Sequence, residues 1–386
     1  MITAELRRAI AAAAGTDVDP LLRPATAPGS YASSLPFRLA APGQDPRQPA
    51  AALAASLETE PWIASAQVTG TGYLTVTITH DALAGLAVRI ARAGPGCAAS
   101  DALRGRTVPA PPPADPLTEP TWPQAQAALA AQLTARLAAA AGATFLSNAE
   151  RSPVPPPTPL LAPPRRPPPV SPSGPPPVSL SGPPPVSPPV SPSDLPSVSL
   201  FGPSPVSASG LPAVVPAMEG PVADAVRYAG PDAVRFALAR IPSGGARSAD
   251  AWPEAAVVAR HILANPAYAV RYAHAAAAAV LRWAAVLGFR PAGFRPGLLA
   301  EPGELALLDV LSWLPERVAV AARRGRPDEF AGYLEELAAR TIDTMNTTGF
   351  TTISSISSER LWLADAARTG LAAGLGLLGV GAPARL

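Results

Sequence analysis

Residues 261–284 read HILANPAYAVRYAHAAAAAVLRWA, and the fold is decided there. Asn265 can cap a helix, and Pro266 sits where a first helical residue tolerates a missing N–H. No Gly or Pro follows until Gly288, so the spacing predicts an uninterrupted helix. Tyr268 and Tyr272 are four apart and share a face, and Ala275, Ala279 and Trp283 continue that stripe. Residues 275–279 carry no bulk, so a neighbouring element or a ligand can approach the backbone closely.

Outward from that helix, residues 217–386 read as almost entirely helical. Residues 228–240 (YAGPDAVRFALAR) and 304–324 (ELALLDVLSWLPERVAVAARR) suit helices, and Asp328 suits a cap for 329–346 (EFAGYLEELAARTIDTMN). A polar loop is expected at 347–358, and a packed helix from 360 onward. Residues 1–106 read as a small α+β unit. Helices are expected at 5–14, ended by Gly15, at 45–58, capped by Asp45, and at 81–93. The β-prone runs 63–68 and 73–79, split by Gly70 and Gly72, read as a strand pair. The intervening residues 107–216 hold more than half of the chain's 52 prolines and a degenerate repeat: PPPVSPSG, PPPVSLSG, PPPVSPPV. Proline locks φ and has no N–H to donate, so a disordered, polyproline-biased spacer is expected. A Pro-motif docking site for a protein partner is its second reading. One helix is expected inside it, at 122–143, with Leu129, Leu133 and Leu137 at spacing four. The fold class is therefore multidomain: α+β unit, Pro-rich linker, all-α helical bundle.

The chain has 386 residues, with 30 basic and 28 acidic side chains. Every basic one is Arg, for there is no Lys. Nine Arg face eight acids in 1–108, four face four in 109–216, and 17 face 16 in 217–386. Nucleic-acid contact must then come from local patches, and non-specific binding should be weak. Cys97 is the only cysteine, which excludes an internal disulfide and a thiolate metal cluster and fits a reduced cytoplasm. The N-terminus makes a poor signal peptide, and the Ala- and Gly-rich C-terminus is broken by charges, so no membrane partner is expected.

NPAYAVRYAHA resembles the NPxYYxQYAHAR signature that opens the α-helical anticodon-binding domain of arginyl-tRNA synthetases. Residues 228–240 resemble the family's G-x-DAxRxxLL segment, YLEELA its YLYELA, and LLGVGAPAR its C-terminus. In the first part, GSYASSLPFRLA, DPRQPA and VTGTGYLTVTI resemble the family's N-terminal additional domain. Ser30, Ser34 and Thr75 stand where that family usually has Asp, Asn and Asn. The resemblance implies a D-loop-binding type of domain over 1–106, a DALR-type anticodon-binding domain over 217–386, and tRNA as partner.

The family's catalytic chemistry is missing from this sequence. Its three histidines, His80, His261 and His274, form no H-x-G-H motif, and without Lys there is no Lys-bearing loop. No phosphate loop, nucleophile elbow or metal-ligand spacing appears. No catalytic residue, cofactor or metal is expected. By pattern alone, a Tyr–Tyr–Trp stripe is core more often than a base-stacking platform. The resemblance shifts this toward RNA, with Tyr272 first, Tyr268, Arg271 and His274 beside it, and Tyr31 and Ser34 in the N-terminal domain. Arg271 could bind phosphate; His274 divides evenly between packing and RNA contact. Arg323, Arg324 and Arg326 read as a solvated helix end. The expected function is tRNA binding without aminoacylation. Its rivals are a protein–protein adaptor on the same fold, and a residual ligase role in which a partner supplies the active site.

Overall fold

The computed structural model describes residues 1–16, 18–111, 115–146, 222–242, 255–352 and 355–386. Helix α1 (Ile2–Ala14) buries Ile2, Leu6 and Ile10 and ends at Gly15, in the left-handed conformation that a helix terminus favours. After it come β1 (Leu22–Pro24), β2 (Ser30–Ser33), α2 (Leu35–Leu39) and α3 (Arg47–Leu57). The cap position of α3 is Pro46 and not the expected Asp45, which lies one residue before it and accepts the Arg47 N–H at Oδ1, 2.9 Å away. Strands β3 (Ile63–Thr69) and β4 (Tyr73–Ile78) pair antiparallel across the Gly70–Gly72 turn. The expected strand pair is in fact half of a four-stranded antiparallel sheet, ordered β1-β2-β4-β3. The SYAS segment forms β2 at its centre, with Tyr31 opposite Val76. Its small polar residues carry no apolar alternation, so pairing with β4 supplies what propensity did not. The helix expected at 81–93 divides into α4 (His80–Ala84) and α5 (Leu86–Ala93) on either side of Gly85.

Strand β5 (Thr107–Val108) pairs in parallel with β6 (Thr144–Phe145), and α6 (Trp122–Ala140) lies between them in sequence. Leu129, Leu133 and Leu137 of α6 are buried, and the helix packs on four helices of the C-terminal part. Residues 147–221, which carry the expected linker's repeat, lie outside the described residues.

The remaining elements are helices: α7 (Val222–Ala229), α8 (Pro231–Ala239), α9 (Ala255–Val258), α10 (Pro266–Val286), α11 (Pro302–Ser312), α12 (Leu314–Arg324), α13 (Pro327–Met345), α14 (Thr348–Thr351) and α15 (Ser358–Leu377). α6 packs chiefly on α12 and α8. The single helix expected over 304–324 is two, joined at Trp313 before Leu314-Pro315. Asp328 is not the cap of α13 but lies in its first turn, paired with Arg326 at 2.6 Å. Small residues set the packing. α10 packs chiefly on α13 and α15, and its buried residues include Ala273, Ala277 and Ala278. Gly374 of α15 is seated against Leu334 of α13, where a Cβ would come within 2.4 Å of Leu334 Cδ2.

The N-terminal sheet and the helical part meet in a seam that is both apolar and hydrogen-bonded. The Tyr31 ring lies 5.2 Å from that of Trp313, and its hydroxyl donates to Ser312 Oγ at 2.8 Å. Thr3 Oγ1 donates to the Ser312 carbonyl at 3.0 Å, and His80 Nε2 to that of Leu299 at 2.8 Å. Gly29, at φ 73°, donates its N–H to Asp309 Oδ1 at 2.9 Å. Burial pushes the Asp309 carboxyl above its ordinary range, and the Gly29 bond partly offsets this. The described residues form one compact unit with a shared apolar core. Among them, no helix is long and apolar enough to cross a membrane.

Candidate nucleic-acid interface

Asn265 does more than cap α10. Its Oδ1 accepts the Ala267 N–H at 3.2 Å, while Nδ2 donates to the carbonyls of Val258 at 2.8 Å and Arg260 at 2.7 Å. One buried amide thus ties the end of α9 to the start of α10 across the intervening loop. His261 is held against Tyr268, with centroids 5.4 Å apart and planes 13° apart. Tyr268 in turn stacks on Tyr272, at 5.8 Å and 27°. His261, Tyr268 and Tyr272 form a three-ring ladder along the first turns of α10. His261 is exposed and both tyrosines are half-buried. Burial, and then the neighbouring Tyr272, push the Tyr268 hydroxyl above its ordinary value, so it remains a neutral donor.

The other two α10 candidates turn elsewhere. Arg271 lies 3.7 Å from Asp232 of α8, each about 28% exposed, so its charge is partly matched within the protein. His274 is buried, and its Nδ1 donates to the Pro383 carbonyl at 2.8 Å. A carbonyl can only accept, so Nδ1 carries the proton of the neutral ring. Burial, with Arg368 adding to it, holds this imidazole below the ordinary histidine range, against the opposing effect of the Pro383 bond. Arg282 donates to the Ala384 carbonyl at 2.6 Å. His274 and Arg282 therefore fasten the C-terminal tail to α10, and His274 has no surface to offer RNA.

In the N-terminal domain the expected pair also separates. Tyr31 is 0% exposed, with its hydroxyl spent on Ser312, so it is a core residue and not a contact. Burial drives its hydroxyl far above the usual tyrosine range. Ser34 is half-buried at the start of α2, and its side chain makes no capping bond. The arginines expected at a solvated helix end are all paired. Arg323 bridges Glu316 at 3.1 Å and Asp19, Arg324 bridges Glu329 at 3.0 Å, and Arg326 bridges Asp328.

The sequence did not point to His261 as a ring of the ladder. It lies outside the helix, seven residues before Tyr268, and only the Asn265 bonds to Val258 and Arg260 bring it back. The sequence carries no local signal for it; only in the structure are its apolar neighbours Ile262 and Leu263 seen to be 48% and 53% exposed. Cys97 is buried, and its thiol is pushed up to about 12 by that burial, so it is no nucleophile. Among the described residues, no group of three or more His, Cys, Asp and Glu is placed to hold a metal.

Residues 270–386 match the DALR anticodon binding domain, and residues 1–78 match the arginyl tRNA synthetase N terminal domain. The chain is a relative of the arginyl-tRNA synthetases. It is 40% identical over 168 residues to an arginine–tRNA ligase of Clavibacter sepedonicus, covering 42% of this chain and 30% of that protein. The arginine–tRNA ligase of Paenarthrobacter aurescens is 37% identical, again over 42% of this chain and 30% of its own length. This synthetase relative thus spans about 30% of the length of the curated proteins it matches. A solved Thermus thermophilus arginyl-tRNA synthetase is 26% identical over 43% of this chain and 28% of its own, with a TM-score of 0.34, too low to add an argument about the fold. Tyr272, Arg271 and His274 fall inside the matched anticodon-binding stretch, and Tyr31 and Ser34 inside the matched N-terminal one.

Proposed function

We propose that this synthetase relative binds tRNA, or a tRNA-like RNA, through the first turns of α10 and does not itself aminoacylate it. The observation that carries this reading is the His261–Tyr268–Tyr272 ladder, partly open to solvent at the edge of a DALR-type domain. Aromatic rings so placed stack on unpaired bases, each worth roughly 1–3 kcal/mol. Near-balanced charge points the same way: affinity on α10 comes from stacking plus a few guanidinium–phosphate contacts, not from a general positive field. The non-catalytic part of the proposal rests on the sequence. It has no Lys and no H-x-G-H, so the groups that stabilise the phosphates of an adenylating transition state are missing. Two measurements test it: filter binding of tRNA to the full chain, and arginine-dependent ATP–pyrophosphate exchange. Exchange above a mock preparation would refute the non-catalytic half, and no tRNA affinity at low salt would refute the binding half.

A protein–protein adaptor is the second reading, favoured by Ile262 and Leu263 beside the ladder. It predicts that Ile262→Ser and Leu263→Ser weaken a protein contact and leave tRNA affinity unchanged.

A further inference from the structure

Away from α10, a half-open cleft of about 660 Å³ lies where α1, the 100–106 loop and α12 converge. Six guanidiniums line it: Arg7, Arg8, Arg38, Arg104, Arg106 and Arg323. Three carboxylates share the wall, Asp19, Asp101 and Glu316. All three are already engaged. Arg7 and Arg323 each bridge both Asp19 and Glu316, a closed arrangement of two charges against two. Asp101 holds Arg104 at 3.6 Å in a largely exposed pair. Arg8, Arg38 and Arg106 are exposed, and no carboxylate lies within 4.0 Å of any of them among the described residues. The wall therefore carries three positive charges beyond its own neutralisation. It also carries two polar atoms with unmet bonding capacity: Arg7 Nε and Ser100 Oγ are buried and have no hydrogen-bond partner.

We infer that this cleft is an anion site for phosphate oxyanions, distinct from the aromatic ladder. Guanidinium forks match the terminal oxygens of phosphate in a bidentate way, and three of them have no carboxylate partner here, although Arg8 Nε donates to the Ala4 carbonyl at 3.3 Å. The inner Arg7–Glu316–Arg323–Asp19 arrangement holds the floor rigid, so little has to reorganise when an anion enters. The volume admits a chain of linked phosphates or a nucleotide rather than a single ion. An RNA backbone and a free polyphosphate share this chemistry, and the experiment separates them. The site stands on its own lining, so it does not depend on tRNA binding at α10.

The test uses the full chain with two probes. Calorimetric titration with tripolyphosphate at about 50 mM salt should show one-to-one binding. The exposed double variant Arg38→Ala/Arg106→Ala should melt as wild type does and bind tripolyphosphate at least about tenfold more weakly, as loss of charge-assisted bonds dictates. Arg8→Ala, on a different element, should also weaken it. The second probe is the salt dependence of tRNA affinity. If RNA is the natural source of the phosphate, the double variant lowers the log–log slope by about 1.5, whereas Tyr272→Ala leaves the slope unchanged. Tripolyphosphate binding that the Arg variants weaken, with an unaltered RNA slope, assigns the cleft to a free phosphate compound. Tripolyphosphate that fails to bind wild type, or that binds the double variant equally well, overturns the site.

Discussion

Tyr31 in the seam and Tyr272 on α10 are the same side chain, both drawn toward RNA by resemblance, in opposite surroundings. Trp313 covers the ring of Tyr31, Ser312 takes its hydroxyl, and none of its surface is exposed. Tyr272 has a stacking neighbour on one side in Tyr268, and part of it remains open. Whether an aromatic can receive a base depends on what its own protein has already placed on its face. The strand that carries Tyr31 is paired at the centre of a sheet, and the Tyr31 side chain meets the junction between α11 and α12 at Ser312 and Trp313. The helix that carries Tyr272 has one side on α13 and α15 and the other free to hold a ladder.

The largest effect that would break this contrast is at Tyr31. Tyr31→Ala should lower stability by about 3–5 kcal/mol, as truncating a buried aromatic does, measured by urea denaturation. Tyr31→Phe keeps the ring and should cost only about 0.5–1.5 kcal/mol, because Ser312 Oγ still donates to the Asp309 carbonyl at 2.7 Å. A Tyr31→Ala variant as stable as wild type would mean that the seam is open in solution.

On α10 the order reverses. Tyr272→Ala should weaken tRNA binding by roughly 1–3 kcal/mol while costing clearly less stability than Tyr31→Ala. Both are read on the same preparation, by melting and by tRNA affinity. A loss of stability as large as that of Tyr31→Ala, with affinity per folded molecule unchanged, would make Tyr272 a second core tyrosine.

His274 sharpens the comparison from inside α10, since it shares the helix with Tyr272 but belongs to the core. Its pKa is lowered in the folded protein, so folding binds fewer protons than the unfolded chain, whose histidine titrates near about 6.5. The stabilisation is complete above that value and is lost as pH falls from it through the folded pKa. Wild type should therefore melt lower at mildly acid pH than at pH 8 by more than His274→Gln does, since the glutamine can still donate to Pro383. Equal pH slopes for the two would show that the ring is solvated and free for another role.

How much of this was legible in the sequence varies with the distance over which each feature is fixed. The α10 helix, its Asn-Pro start, the β3–β4 pair and the buried leucines of α6 are local patterns, and each appears where its spacing places it. The central strand β2 was missed because SYAS has no periodic signal and exists through its pairing with β4. Arg271 and His274 were grouped with Tyr272 because they are neighbours along the chain. One or two residues on a helix turn a side chain by 100° or 200°, enough to aim them at Asp232 and the C-terminal tail instead. Tyr31 was misplaced because nothing local announces Trp313, more than 280 residues away. The ladder's third ring depends on bonds from Asn265 to the end of α9, which no periodicity reports.

The smallest effect is expected at Ser34, three residues from Tyr31 and outside the seam. A serine at a helix start that loses its hydroxyl usually costs about 0.5–2 kcal/mol, because the oxygen accepts an N–H of the first turn. Here the φ and ψ of −94° and 8° are not those of an extended cap, and the side chain accepts no such bond. The carbonyl of Ser34, which stays in an alanine, is what accepts the Phe37 N–H at 3.2 Å. Ser34→Ala should therefore change stability by less than about 0.5 kcal/mol. If its free hydroxyl is the N-terminal RNA contact, tRNA affinity should still fall by about 0.5–1.5 kcal/mol, the worth of one hydrogen bond. A stability loss beyond about 1 kcal/mol would show that the hydroxyl is bonded within the protein. An unchanged affinity would leave α10 to hold the RNA without it, and the two tyrosines would then differ not only in burial but in whether their domain touches RNA at all.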